Sequence, residues 1–158
     1  MKNSPNINIE RVNPEDKELI NLIAQWYYEE WKIPVLNTEQ KLGAFPKEEI
    51  PFHIIIKENN IPIATGGLHT HVGLLDVLPE YKKYKHWVAV IYTIPEKRGN
   101  GYGGMLCNFI EKMAKEFRLT KLHLCTFTAE NLYLRLNWKP LNRITYKEHK
   151  TVVMEKEI

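Results

Sequence analysis

The chain has 158 residues, of which 44% are hydrophobic, so it is long and apolar enough to fold and is expected to form one domain over residues 1–158. Its formal charge of +3 is small for a nucleic-acid-binding protein, and no apolar run approaches the roughly 20 residues of a membrane span. The two cysteines and the polar start of the sequence predict a cytoplasmic protein with reduced thiols.

The first part of the chain predicts a strand, two helices and a β-hairpin. The expected ranges are a strand at 7–12, helices at 14–31 and 38–44, and strands at 52–57 and 61–71. Asn13 is expected to cap the first helix, because it precedes a proline and two acidic residues. Asn59 and Asn60 are typical of a hairpin turn between the last two strands.

The second part alternates strands and helices after a loop at 73–85. The expected ranges are strands at 87–94, 121–126, 139–146 and 151–156, with helices at 102–117 and 129–136. The helix at 102–117 has the strongest pattern, since its apolar residues recur at intervals of three and four. The element order β-α-α-β-β-β-α-β-α-β-β predicts an α/β fold, with a mixed central sheet of about seven strands flanked by helices on both faces.

A glycine-rich segment separates the strand at 87–94 from the helix at 102–117. It reads Arg98-Gly99-Asn100-Gly101-Tyr102-Gly103-Gly104. Glycine allows positive φ and close approach of the backbone to a ligand, and the start of a helix offers unpaired N–H groups to an anion. The segment therefore predicts a site for a phosphorylated ligand.

Two common phosphate-binding patterns fit this segment poorly. A P-loop would need Gly-x-x-x-x-Gly-Lys-Ser/Thr, which the sequence lacks. The dinucleotide pattern G-x-G-x-x-G is present as Gly99, Gly101 and Gly104, but it also needs an acidic residue at the end of the next strand. That strand ends in Cys125 and Thr126, which argues against a dinucleotide site.

A third pattern, Arg/Gln-x-x-Gly-x-Gly/Ala, is met by Arg98, Gly101 and Gly103. In these residues the chain resembles the GCN5-related N-acetyltransferase (GNAT) family, in which this loop holds the pyrophosphate of acetyl-coenzyme A. The resemblance continues through Leu132-Tyr133 and Leu136-Asn137-Trp138, which stand in place of the family's second signature. Asn137 replaces the usual glycine, a tolerable departure because asparagine also adopts the left-handed conformation.

The resemblance covers residues 87–140 and implies a GNAT fold with acetyl-coenzyme A as co-substrate. In that fold the fourth and fifth strands run parallel and splay apart, and the pantetheine arm lies in the opening. The implied cofactor-binding residues are Ile91, Tyr92, Thr93, Arg98, Gly99, Asn100, Gly101, Tyr102, Gly103 and Gly104. Tyr133 is implied as the catalytic acid that protonates the departing thiolate, and a backbone N–H near Thr93 as the oxyanion donor.

The general base stays unassigned at this level. Six side chains lie in segments that could border the acceptor: Glu30, His69, His71, Asp76, His86 and Cys125. His69 and His71 could share one face of a strand as a metal pair, but they lack a third ligand at fixed spacing, so no metal is predicted. The aromatic residues Trp26, Tyr27, Tyr28 and Trp31 fit an acceptor pocket or, more typically, the core.

The sequence thus predicts an enzyme that transfers acetyl from acetyl-coenzyme A to a primary amine of a small molecule or peptide, by direct attack in a ternary complex. Nucleic acid and membrane are not expected as partners, and a homodimer is left open. Two alternatives remain. One is a non-catalytic module that binds or senses acyl-coenzyme A, favoured by the missing base, and the other is a dinucleotide-binding oxidoreductase.

Overall fold

The computed structural model describes residues 4–158, and within them seven strands and five helices follow the expected order with one addition, a short helix between the third and fourth strands. The strands are β1 (Ile7–Arg11), β2 (Phe52–Glu58), β3 (Ile61–His69), β4 (Trp87–Thr93), β5 (Lys121–Thr126), β6 (Lys139–Tyr146) and β7 (His149–Glu157). The helices are α1 (Lys17–Trp31), α2 (Val35–Gly43), α3 (Leu74–Val77), α4 (Tyr102–Glu116) and α5 (Glu130–Arg135). None of the described helices has the length and apolar character needed to cross a bilayer.

The strands form one mixed sheet in the order β1-β2-β3-β4-β5-β7-β6. β1 pairs with β2, and β7 pairs with both β5 and β6, in the antiparallel sense. β4 and β5 are parallel and are paired at Trp87 and His123, near the start of β4. The predicted α/β fold with a seven-stranded mixed sheet is therefore confirmed.

Residues 4–67 and 90–106 form one compact unit. Its core combines the apolar face of α1 with side chains from the neighbouring strands and α2: Val12, Leu19, Ile20, Ile23, Trp26, Tyr27, Leu42, Ile55 and Tyr92. The hairpin between β2 and β3 turns at Asn59 and Asn60, which have φ of 51° and 67°, as the sequence predicted.

Residues 68–89 and 107–158 form the second compact unit. Here the predicted loop at 73–85 is wrong in part, because it contains α3 and a 3₁₀ turn at Pro79–Lys83. Leu74, Leu75 and Tyr81 are buried against Trp87, and this packing orders a segment that its proline and lysines had marked as a loop.

The start of α1 differs from the prediction that Asn13 is its cap. The side chain of Asn13 instead accepts a hydrogen bond from the N–H of Glu15 at 2.9 Å, and its carbonyl accepts one from the N–H of Asp16 at 2.9 Å. This turn delays the helix, and the carboxylate of Asp16 caps it by accepting from the N–H of Leu19 at 3.1 Å.

Replacing Asp16 with alanine should therefore lower the free energy of unfolding by about 1 kcal/mol, because the N–H of Leu19 loses its partner. Denaturant unfolding monitored by circular dichroism measures this loss. Asp16→Asn is the control and should retain most of the stability, since asparagine caps about as well as aspartate. Equal losses in the two variants would contradict the assigned cap.

Candidate active site

The glycine-rich segment takes left-handed backbone conformations at two positions. Gly99 has a φ of +80° and Gly101 a φ of +84°, and a Cβ added at either would have no other atom within 4 Å. The backbone angles at these two positions therefore favour glycine, and the space that a side chain would occupy is open. Gly103 and Gly104 differ, because they already belong to the first turn of α4.

Hydrogen bonds within the segment hold its shape. The amide of Asn100 donates to the carbonyls of Lys97 at 2.9 Å and Arg98 at 3.3 Å. The N–H of Met105 donates to the carbonyl of Gly101 at 3.1 Å and so starts the hydrogen bonding of α4. The N–H groups that precede Met105 in this helix have no carbonyl partner within it, which suits them to bind an anion.

The guanidinium of Arg98, the first residue of this segment, is held by contacts with other residues. The Nε of Arg98 donates to the carbonyl of Thr93 at 2.9 Å, and its Nη2 donates to Glu30 at 3.1 Å. The guanidinium also lies 5.5 Å from the centre of the Tyr92 ring. The carbonyl of Thr93 therefore accepts a hydrogen bond from Arg98, which ties the end of β4 to the glycine-rich segment.

β4 carries a feature that the sequence did not indicate. Val90 has a φ of +49° inside the strand, and its carbonyl accepts a hydrogen bond from the hydroxyl of Tyr27 at 2.8 Å. The Nε2 of His53 lies 2.9 Å from the same hydroxyl. The run Val88-Ala89-Val90-Ile91 reads as an ordinary strand, so no local signal could have revealed this conformation.

The aromatic residues of α1 are mostly core. Trp26 stacks on Tyr92 with ring centres 5.5 Å apart, and Trp31 contacts the same ring at 6.1 Å. Tyr27 is buried, whereas Tyr28 is 48% exposed. Of the four residues considered for an acceptor pocket, Trp26, Tyr27 and Trp31 therefore pack in or against the core.

Tyr133 lies on α5, in the second unit, and is buried beside Trp138 with ring centres 6.1 Å apart. Burial raises the pKa of its phenol, and the neighbouring thiols of Cys107 and Cys125 add to this effect. The phenol therefore stays protonated at neutral pH. Asn137, with a φ of +70°, takes the left-handed conformation predicted for it after the helix.

Both cysteines are protonated thiols at neutral pH. Burial raises the pKa of Cys107 to about 12 and that of Cys125 to about 11. A thiol becomes a good nucleophile only as the thiolate, so neither residue is prepared for covalent catalysis.

The candidates for a general base lie in different settings. Glu30 is paired with Arg98, and His71 is paired with Asp76 at 2.8 Å. His69 is buried at the end of β3, whereas His71 lies beyond the strand, so the expected pair on one strand face is wrong. Partial burial lowers the pKa of His86. Among residues 4–158, no three His, Cys, Asp or Glu side chains are grouped to hold a metal ion.

Comparisons with known proteins give a consistent result. The sequence pattern of the acetyltransferase (GNAT) family matches residues 17–138. An aminoglycoside 6′-N-acetyltransferase complexed with coenzyme A is 11% identical with a TM-score of 0.74, covering 95% of this chain and 96% of that one. Ard1 from Thermoplasma volcanium is 12% identical with a TM-score of 0.72, covering 96% and 97%. A GNAT-family acetyltransferase from Streptococcus pneumoniae is 16% identical with a TM-score of 0.71, covering 97% and 99%. No curated protein matches the sequence.

The backbone of Gly101 gives a direct prediction. Gly101→Ala should destabilise the protein by about 1 kcal/mol, because alanine resists the left-handed conformation even where space is open. Gly43→Ala is the matched control in the same unit, since Gly43 ends α2 without positive φ and a Cβ there would meet only the carbonyl oxygen of Pro14 at 4.0 Å. The control should gain about 0.5 to 1 kcal/mol in unfolding experiments. A stabilised Gly101→Ala variant would contradict the assigned conformation.

Proposed function

The chain belongs to the acetyltransferase (GNAT) family, and from this premise we propose that it transfers the acetyl group of acetyl-coenzyme A to a primary amine. The amine is carried by a small molecule or peptide and attacks the thioester directly in a ternary complex. The aminoglycoside 6′-N-acetyltransferase among the similar structures supports an acceptor of the first kind, although at 11% identity that likeness concerns the fold.

The observation that carries the proposal is the left-handed backbone of Gly99 and Gly101 at the start of the 15-residue helix α4. Side chains leave this surface open, Asn100 fixes the segment, and the helix dipole favours negative charge there. These features fit a pyrophosphate. Ile91, Tyr92 and the N–H of Thr93 are proposed to bind the pantetheine amides, and residues 98–104 the pyrophosphate.

Acetyl-coenzyme A, when bound, supplies an activated thioester. The protein's own contribution is to hold donors where charge develops. We assign a backbone N–H near Thr93 to the carbonyl oxygen and the phenol of Tyr133 to the sulfur. A protonated phenol suits this second role, and the protonated thiols of Cys107 and Cys125 favour direct attack over a covalent enzyme intermediate.

Ligand binding tests whether acetyl-coenzyme A is the ligand of this site. A ligand that binds only the folded state at a hundredfold excess over its Kd adds about 2.7 kcal/mol, so acetyl-coenzyme A should raise the Tm by roughly 5 to 10 °C. NAD at the same concentration should not. A larger shift with NAD would contradict the proposal. A panel of amines that includes an aminoglycoside, a polyamine and a peptide, monitored for free coenzyme A, then separates a transferase from a module that only binds.

Tyr133→Phe tests the proposed acid. Phenylalanine keeps the ring that packs beside Trp138 and removes one oxygen atom, so the free energy of unfolding should change by no more than about 1 kcal/mol. With an accepted amine, kcat should fall by about 10²- to 10⁴-fold while the Kd for acetyl-coenzyme A stays near the parental value. Tyr81→Phe, which alters another buried tyrosine of the same unit, is the control and should leave kcat unchanged. A Tyr133→Phe variant that keeps more than about a third of the parental kcat would assign Tyr133 to packing.

A further inference from the structure

Val90 has a backbone conformation that its residue type rarely adopts. Eight non-glycine residues among 4–158 have positive φ, and Val90 is the one that is β-branched and the one that lies inside a strand. The others lie in turns or after helices. A β-branched side chain in the left-handed region is costly and persists only where its surroundings hold it.

Tyr27 supplies a contact that holds it. A carbonyl can only accept, so the one hydrogen of the Tyr27 hydroxyl is donated to Val90 across 2.8 Å. The oxygen of Tyr27 must then accept from the Nε2–H of His53, at 2.9 Å. The geometry thus assigns the Nε2–H tautomer to His53, so that His53 donates to the Tyr27 oxygen and Tyr27 donates to the Val90 carbonyl.

Neither side chain has freedom to move away. Tyr27 and His53 are each 2% exposed. The ring of Tyr27 meets Trp31 at 5.4 Å and Tyr92 edge-on at 6.2 Å. Burial lowers the pKa of His53 to about 3 and raises that of Tyr27, so both remain neutral and keep the same hydrogen atoms at neutral pH.

Gly66 on the neighbouring strand β3 makes room for Ile91, the residue that follows Val90. A Cβ added at Gly66 of β3 would lie 2.4 Å from Cδ1 and 3.4 Å from Cα of Ile91. Gly66 therefore allows β4 to approach β3 closely just after Val90. The left-handed residue and this close approach together set the backbone of the segment 91–93.

We infer that Tyr27 and His53 are positioning residues, which hold Val90 in its left-handed conformation and thereby orient residues 91–93 towards acetyl-coenzyme A. This inference rests on the proposed function, because that function assigns the same three residues to the cofactor. It adds two buried side chains that act through the backbone of Val90, and it gives the buried histidine a role.

The test compares Tyr27→Phe in two backgrounds. In the parental background, loss of the hydroxyl should let Val90 relax, and kcat/KM for acetyl-coenzyme A should fall at least tenfold. Glycine adopts positive φ readily, so in a Val90→Gly background the same change should cost less than threefold. Tyr81→Phe is again the control for loss of a buried hydroxyl. Equal losses in the two backgrounds, or no loss in the parental one, would overturn the inference.

Backbone chemical shifts give a readout that does not require activity. In the protein without ligand, Tyr27→Phe should move the shifts of Val90, Ile91 and Tyr92, whereas in the Val90→Gly background it should not. His53→Gln keeps an N–H donor and should resemble the parent, and His53→Leu should resemble Tyr27→Phe. Unmoved shifts in Tyr27→Phe would overturn the inference even if the enzyme is active. Failure of the parent to bind acetyl-coenzyme A would overturn the proposed function. The chemical shifts would then still test whether Tyr27 holds the backbone of Val90.

Discussion

The hydrogen bond from the Tyr27 hydroxyl to the Val90 carbonyl joins the parts of the first unit on which the cofactor segment depends. α1 provides the hydroxyl, β2 provides His53 behind it, and β4 provides the strained residue. In a regular strand alternate residues face opposite sides, so a left-handed residue changes the sides that the next ones take. Tyr92, two residues on, is buried beneath Arg98, where it stacks on Trp26.

Electrostatics around the glycine-rich segment follow from that arrangement. Arg98 is held by the Thr93 carbonyl, Glu30 and the Tyr92 ring, and the ammonium of Lys97 lies 2.8 Å from Glu58. Arg98 and Lys97 thus each already have a carboxylate partner. For the pyrophosphate proposed to bind here, the two side chains offer partly compensated charge, and the backbone N–H groups and the dipole of α4 offer a further source of attraction.

The sequence predicted the elements whose bounds depend on patterns of neighbouring residues, such as hydrophobic periodicity and glycine-rich breaks. β5 and β6 have the predicted bounds, and α4 begins at Tyr102, where glycines give way to a periodic apolar face. Asn13 and Asp16 are both good caps, and the choice depended on a turn that the sequence did not reveal. The positive φ of Val90 could not be predicted from the sequence. Valine favours a regular strand, and the hydrogen bond that holds the Val90 carbonyl comes from Tyr27, 63 positions away.

Five groups that the proposals invoke share one property, which is that burial keeps them neutral. His53 and Tyr27 in the first unit, and the phenol of Tyr133 with the two thiols in the second, all have pKa values shifted away from neutrality. Such groups hold their hydrogen bonds in one direction over the pH range of the folded protein. None of these five groups should therefore change its protonation near neutral pH, so a change in rate in that range would have to come from other groups or from the acceptor amine.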